Sequence, residues 1–280
     1  MKASIIGPSG YIAKRHLSAL KKLDYKIESY LDIVESDFIG KTEKTLFFQK
    51  EDEYFNYIQD RSIDLVICLS PNFLHFEHIL KTAGIGIKTI VEKPLLIKKT
   101  EFDHLISNHD IAKNIFGIMQ LRLHPKFNEI KNLLQKSKGK VRLEYLAKRP
   151  KSYLDSWKVN TRKSGGLLYN IGIHYFDLVI FSSGKPRSTE VEYIDDLNAS
   201  GNTDFMNFNL DWKFSIDGKG LNPGEEQRRG LYIEDRIVDF TNVSDDLHYL
   251  NYLEIVNKSG YNIMDFYDTY KYLTEICPNE

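Results

Sequence analysis

The stretch Gly7-Pro8-Ser9-Gly10-Tyr11-Ile12-Ala13 follows a short apolar run, Ser4 to Ile6, and leads into a segment of helical period, Ile12 to Leu23. Glycines at such a strand-to-helix junction let the backbone turn sharply and approach a pyrophosphate. The anion then rests on the unpaired N–H groups and the positive dipole end of the helix. The spacing departs from G-x-G-x-x-G by one extra residue between the first two glycines, and Ala13 stands where a third glycine would be. Its place at the first strand-helix junction favours nucleotide binding over a plain glycine turn.

Through residue 118 the chain continues in the same alternation, which predicts successive β-α units on a parallel sheet. Strands are expected at Ser4 to Ile6, Lys26 to Leu31, Leu46 to Phe48, Leu65 to Leu69, Thr89 to Val91 and Phe116 to Ile118. Helices are expected at Ile12 to Leu23, Glu51 to Gln59, Leu74 to Thr82 and Glu101 to Ser107. After Gln120 the rhythm changes. A helix from Pro125 to Leu134, a strand from Val141 to Ala147 and a long apolar helix from Leu167 to Phe181 precede strands at Glu190 to Ile194, Phe205 to Ile216, Gly230 to Ile233 and Ile237 to Phe240. Helices at Leu247 to Asn257 and Met264 to Leu273 follow, and hairpin-like turns such as Asp217-Gly218 argue for a largely antiparallel sheet. The fold class expected is α/β, a Rossmann domain with a parallel sheet over residues 1–118 and an α+β domain over 119–280 that binds substrate and forms oligomer contacts.

Composition narrows the partners. The chain of 280 residues is 42% hydrophobic and carries 38 Lys plus Arg against 39 Asp plus Glu, so no global positive field would draw in nucleic acid. A small anion needs less: the local cluster Lys158, Arg162 and Lys163 would suffice. The first strand stops at Gly7, too early for a signal-peptide core, and no run reaches the ~20 apolar residues of a membrane span. Cys68 and Cys277 provide no disulfide framework. A cytoplasmic protein without membrane attachment is expected.

Four further positions carry chemistry. Asp32 ends the second expected strand, 25 residues beyond Gly7, where a carboxylate can accept hydrogen bonds from the adenosine ribose hydroxyls. Ser70, Asn72 and His75 follow the fourth strand and Glu92-Lys93-Pro94 the fifth, so all should face a cofactor cleft outside the carboxyl ends of the sheet. Partial desolvation of Lys93 beside a nicotinamide would bring its amine towards the range useful for proton transfer. In the apolar segment Leu167 to Asp177, Asn170, His174 and Asp177 stand at i, i+4 and i+7 of one helical stripe, and the glycine pair Gly165-Gly166 precedes it. His75 and His78 flank Glu77, yet no second cluster completes a coordination set, so no metal is expected. No G-x-S-x-G segment supports a serine hydrolase.

Taken in order, the glycine turn, Glu92-Lys93-Pro94 and the Gly165-Gly166 to Asp177 helix resemble the Gfo/Idh/MocA oxidoreductase family over essentially the whole chain. Most members carry aspartate where this sequence has Asn170. Gln120 to Pro125, Ser156 to Val159, Asn170 to His174, Phe214 to Asp217 and Asp246 to Ile255 look like the UDP-N-acetyl-2-amino-2-deoxy-D-glucuronate dehydrogenases. That resemblance implies oxidation of a sugar C3 hydroxyl with bound NAD, a place in O-antigen or lipopolysaccharide sugar synthesis, and a homo-oligomer, tetramer or dimer. In some members 2-oxoglutarate reoxidises NADH. It also implies a cofactor set of Gly7, Gly10, Tyr11, Ile12, Asp32, Ser70, Asn72, His75, Glu92, Lys93, Pro94 and Gln120. Lys93 or His174 would take the proton, Asn170 would orient the sugar, and Arg122, Trp157, Lys158 and Arg162 would complete the substrate site. Two alternatives stay open: a dehydrogenase of another nucleotide sugar or free sugar, and an NAD-binding scaffold or regulator without turnover.

Ile33, Val34 and Glu35 after Asp32 supply no cation for a 2′-phosphate. Calorimetry should therefore show tighter binding of NAD than of NADP, and Asp32→Ala should narrow the gap by removing repulsion towards that phosphate.

Overall fold

Six parallel strands form the first sheet: β1 (Lys2–Ile6), β2 (Lys26–Leu31), β3 (Leu46–Phe48), β4 (Leu65–Cys68), β5 (Lys88–Val91) and β6 (Ile115–Gly117), in the order β3-β2-β1-β4-β5-β6. The computed structural model describes residues 1–39, 45–242, 244, 246–257 and 260–277. The strand order reverses between β1 and β4, which creates the switch point where ligands of such sheets bind. All four residues of β4 are buried, as its unbroken run Leu-Val-Ile-Cys requires of a strand covered on both faces. Helices α1 (Ala13–Lys22), α2 (Glu51–Gln59), α3 (His75–Ala83), α4 (Lys99–Ser107) and α5 (His109–Ala112) connect the strands. Between α2 and the sheet, Tyr54 and Ile58 pack with Ile6, Leu31, Ile63 and Val66. The Tyr54 hydroxyl lies 2.7 Å from Ser4 Oγ, which is itself 2.8 Å from Ser29 Oγ, so the polar atoms buried there are satisfied.

The second sheet contains β7 (Lys140–Ala147), β8 (Ser188–Ile194), β9 (Asn198–Asp204), β10 (Asn209–Ser215), β11 (Gln227–Ile233) and β12 (Arg236–Asp239), in the order β12-β11-β7-β10-β9-β8. Every neighbouring pair is antiparallel except β7 with β10. The accompanying helices are α6 (Phe127–Lys136), α7 (Lys151–Leu154), α8 (Thr161–Ser164) and α9 (Ile173–Ser183). Aromatic side chains make the core: Phe176 of α9 meets Trp212 edge-on at 5.5 Å and Tyr272 at 5.0 Å, and Tyr175 meets Phe214 and Phe240. A Cβ on Gly201 of β9 would stand 2.4 Å from the Trp212 ring, so the glycine makes room for the indole.

Two more helices follow, α10 (Asp246–Val256) and α11 (Tyr267–Ile276). Contacts divide the chain into Met1–Leu96 with Thr100–Met119 and Asp245–Phe266, and Ile97–Lys99 with Gln120–Ser244 and Tyr267–Glu280. A single cut at residue 118 therefore misplaces α10. Its buried Leu247, Tyr252 and Ile255 complete the first unit beside α1, and Asn251 Oδ1 accepts the Met119 N–H at 3.0 Å.

Three local expectations are corrected. The run Phe205 to Ile216 is a turn followed by β10, while β9, written Asn-Ala-Ser-Gly-Asn-Thr-Asp, is a strand without the β-branched apolar signal. Its inward positions hold Ala199, Gly201 and Thr203, small enough to lie under Trp212. Asp217-Gly218 is no hairpin turn, because β10 and β11 are separated by β7. Asp217 instead accepts from Asn198 at 2.9 Å and Ser215 at 2.8 Å, and Lys148 bridges to it.

The third correction concerns Arg122. Its Nε and Nη2 donate to Asp177 at 2.7 and 2.6 Å, both side chains are buried, and the guanidinium lies 4.1 Å from the centre of the Phe181 ring. The fork that could grip a substrate carboxylate is committed to α9, with Thr269 of α11 adding a bond to Asp177 at 2.9 Å. Leaving one member of a buried, hydrogen-bonded pair uncompensated costs about 3–5 kcal/mol. Asp177→Ala should lose that much in denaturant unfolding.

Candidate active site

At the switch point, Gly7 adopts φ +78, and an added Cβ would lie 2.8 Å from the backbone nitrogen of Ser70. Only glycine lets β1 turn this close to the end of β4. Gly10 is less constrained, since its nearest Cβ neighbour would be 3.9 Å away. Ile12 caps α1 without any side-chain bond, the Ala13 and Arg15 N–H groups donate to the Gly10 and Ile12 carbonyls at 3.0 Å, and Tyr11 is 74% exposed beside them, so an anion here would rest on the positive dipole end of the helix. Asp32 accepts the Ser9 N–H at 2.8 Å through Oδ2 and the Ile33 N–H at 2.7 Å through Oδ1. A carboxylate has about four lone-pair sites, so acceptance from ribose hydroxyls remains open to it. This cradle fits a dinucleotide: a glycine that cannot be replaced, a helix N-terminus without a side-chain cap, and an acidic acceptor at the end of β2.

The groups after β4 and β5 divide into a brace and the half-buried Lys93. Ser70 Oγ lies 2.9 Å from His78, and the fully buried His75 ring spans from the Ser70 carbonyl at 2.8 Å to the Pro94 carbonyl at 2.9 Å. Burial lowers the His75 pKa against the pull of these carbonyls, so the ring is neutral and donates to one of them. It acts as a strut between two strand ends. Asn72 is buried in the short turn after Pro71, and Lys93 is half-buried at a cis Lys93-Pro94 bond. Glu92 is buried, with both carboxylate oxygens taken by His16, His248 and the Lys93 N–H. Burial would raise this carboxyl, but hydrogen bonds from His16 and His248 outweigh it and hold the group well below the usual carboxylate range. His16 is also lowered by burial, against the opposing effect of Glu92. As pH falls through ~6.5, the ordinary value of a free imidazole, the unfolded chain takes up protons that buried His16 and His75 resist, so stability declines towards acid.

In the second unit, the long helix expected from Leu167 begins with a π turn, Leu168–Gly172, before α9. The wider turn breaks the simple i, i+4 stripe at its first member, a deviation that recurs at functional sites. Buried Asn170 donates to the Tyr153 hydroxyl at 3.1 Å and the Lys158 carbonyl at 3.4 Å, while His174 Nε2 lies 3.5 Å from Gln120 Nε2. The Lys158 ammonium sits 5.6 Å from the centre of the Tyr153 ring, and desolvation together with nearby Arg149 lowers its pKa. Desolvation raises the Tyr153 phenol. Arg149 lies over Tyr153 at 5.0 Å with its Nε buried and without a hydrogen-bond partner. Trp157 is half-buried in the same loop, and Arg162 is exposed on α8. Sequence reasoning missed Tyr153 and Arg149, because the charged loop after β7 carries no periodicity to distinguish one cation from another.

Among the described residues, one group has ligand atoms spaced as a metal could use, His16, Glu92 and His248, all within 4.8 Å of one another. The pair expected to be the closest approach to such a site, His75 and His78, is spent on the brace and on Ser70. No helix among the described residues is long and apolar enough to cross a membrane.

Residues 1–118 match the oxidoreductase family model with an NAD-binding Rossmann fold, and residues 139–213 match that family's C-terminal alpha/beta domain. The chain belongs to the Gfo/Idh/MocA oxidoreductase family. The WlbA (WbpB) dehydrogenase of Thermus thermophilus, solved with NAD and UDP-GlcNAcA, is 27% identical with a TM-score of 0.90 over 100% of this chain and 95% of that one. The same dehydrogenase with NAD and alpha-ketoglutarate gives 28% identity and a TM-score of 0.88 over 96% and 92%. Among sequence relatives, the myo-inositol 2-dehydrogenase of Thermotoga maritima is 25% identical over 66% of this chain and 55% of its own length. The chain spans about half the length of the relatives it matches by sequence, 49% and 44% for two others.

In an NAD-binding Rossmann domain the first βα turn is the expected seat of the dinucleotide. Gly7→Ala should weaken NAD binding at least ~10-fold by calorimetry, since both the left-handed φ and the contact with Ser70 forbid a side chain. Retention of wild-type affinity would place the nucleotide elsewhere.

Proposed function

We propose that the chain is an NAD-dependent dehydrogenase that oxidises the C3 hydroxyl of a UDP-linked N-acetylhexosaminuronate, in the synthesis of lipopolysaccharide O-antigen sugars. Its setting is the cytoplasm and its working form a homo-oligomer, tetramer or dimer. The observation that carries this reading is the whole-chain likeness to the Thermus WlbA dehydrogenase, solved with both NAD and UDP-GlcNAcA. The subgroup motifs around Gln120, Ser156 and Asn170 point the same way.

Bound NAD supplies the acceptor for the two electrons and the hydrogen leaving the sugar C3. Lys93 or His174 removes the hydroxyl proton, and the carbon and its acceptor must be held in near-attack geometry for that to be productive. Asn170 orients the sugar from the π turn, its position tied to Tyr153. Lys158, Arg162 and Arg149 are the cations for the carboxylate and diphosphate, and Trp157 and Gln120 complete the lining. A second role for the same site, reoxidation of NADH by a 2-oxo acid, is favoured by the alpha-ketoglutarate complex of the Thermus dehydrogenase.

Anaerobic incubation with NAD and a panel of UDP-sugars, free sugars and inositols, read by NADH absorbance and product mass, tests the reading. UDP-GlcNAcA should exceed UDP-GlcNAc by about 10–100-fold in kcat/KM, because the neutral sugar forfeits a charge-assisted hydrogen bond to a cation such as half-buried Arg149. Lys93→Met or His174→Ala should lose ~10²–10⁴-fold in single-turnover rate, whichever moves the proton losing more, with NAD affinity intact. Turnover of inositol alone would transfer the assignment to a free polyol; reduction of NAD by no substrate would favour a scaffold.

A further inference from the structure

We infer that His16, His248 and Tyr252 are positioning residues for Lys93: they fix the Glu92 carboxylate, and Glu92 fixes the backbone at Lys93. The consequence for turnover rests on the dehydrogenase reading above, whereas the clamp belongs to the first unit and can be measured without turnover.

The protons can be assigned from the contacts. Glu92 Oε1 lies 2.9 Å from His16 Nε2 and 3.3 Å from His248 Nε2, and Oε2 accepts the Lys93 N–H at 3.0 Å. A carboxylate only accepts, so both imidazoles carry their proton on Nε2. In a neutral His16 ring Nδ1 must then be an acceptor, and it lies 2.8 Å from the Tyr252 hydroxyl, which donates to it. Burial keeps that phenol protonated. The arrangement is a single anion held by N–H donors from α1, α10 and the adjoining backbone. His75 of α3, Arg15 beside His16 and Tyr25 near Tyr252 are further charged or titratable groups acting on the cluster.

The clamp acts on the peptide that carries the candidate base. Glu92 holds the Lys93 N–H on one side, while on the other the His75 ring lies 2.9 Å from the Pro94 carbonyl. Lys93 thus leaves a backbone pinned on both flanks. A buried carboxylate with no such task would be costly to keep, since a well-packed apolar residue is often at least as stable.

His248→Leu removes one donor, and His248→Gln returns an N–H near the position of Nε2. Tyr252→Phe deletes only the hydroxyl that sets the His16 tautomer, and it provides a folded probe if the leucine variant does not accumulate. In His248→Leu the Lys93 amide should exchange with solvent at least ~10-fold faster while Ile90 in β5 keeps its protection. Its kcat should fall ~10–100-fold with NAD affinity unchanged, and the acidic limb of the kcat profile should move to higher pH as Glu92 loses a donor and its carboxyl rises. His248→Gln should recover most of both losses, and Tyr252→Phe should show the same changes at ~3–10-fold. In the wild type, ¹⁵N-resolved histidine spectra should show the His16 ring neutral and both rings protonated on Nε2.

Unchanged Lys93 exchange in the folded variants would overturn the inference. So would an equal loss in the glutamine and leucine variants, or a bound metal that survives dialysis and accounts for the three side chains. If the wild type oxidises no sugar, the dehydrogenase reading falls, and amide exchange with the tautomer spectra still decides the clamp.

Discussion

A carboxylate cannot be left in a protein interior without donors, and the first unit is arranged around that constraint. Glu92 ends β5 beneath the site where the chain would bind its cofactor, and its partners come from opposite ends of the sequence. His16 is one helix turn beyond the glycine loop, and His248 arrives on a helix that follows the whole second sheet. The return of α10 is thus more than an appendage covering α1. It contributes apolar side chains to the core, a side-chain acceptor for Met119 and the second imidazole for Glu92.

The second unit solves a similar problem with an ion pair. Asp177 lies on a helix whose other buried residues are almost all apolar, and a bidentate arginine with a threonine hydroxyl neutralises and saturates it. With Asp177 engaged in the core, Asn170 and His174 are the polar groups of that segment left at the candidate site. The π turn separates the two functions along one continuous piece of chain, offsetting Asn170 towards Tyr153.

The parallel sheet was legible because most of its strands are short apolar runs that alternate with helical periods, and the glycine loop stood at its first junction. Lys26–Leu31 and Leu46–Phe48 fall where alternation placed them. β9 was illegible for the opposite reason: its small and polar residues satisfy packing under Trp212 rather than a hydrophobic pattern. Candidate site residues were found by type and place, but their partners were not. Nothing local marks His75 as a strut or Arg122 as the counter-ion of a residue 55 positions away, since those facts exist only after the chain has folded. His16 and His248 escaped notice for the same reason, being separated by most of the sequence.

The interrupted first unit also bears on how the chain assembles during synthesis. When β6 leaves the ribosome, all six parallel strands exist, yet the face of α1 that receives α10 is still bare. More than a hundred further residues, including every strand of the second sheet, must be translated before Leu247, Tyr252 and Ile255 can close it. Contacts of such long sequence separation form slowly, and apolar surface waiting for them is exposed to aggregation and to chaperones. The nascent chain therefore passes through a long interval in which its cofactor half has a sheet but an unfinished core, and that half reaches its final stability only as one of the last events of folding.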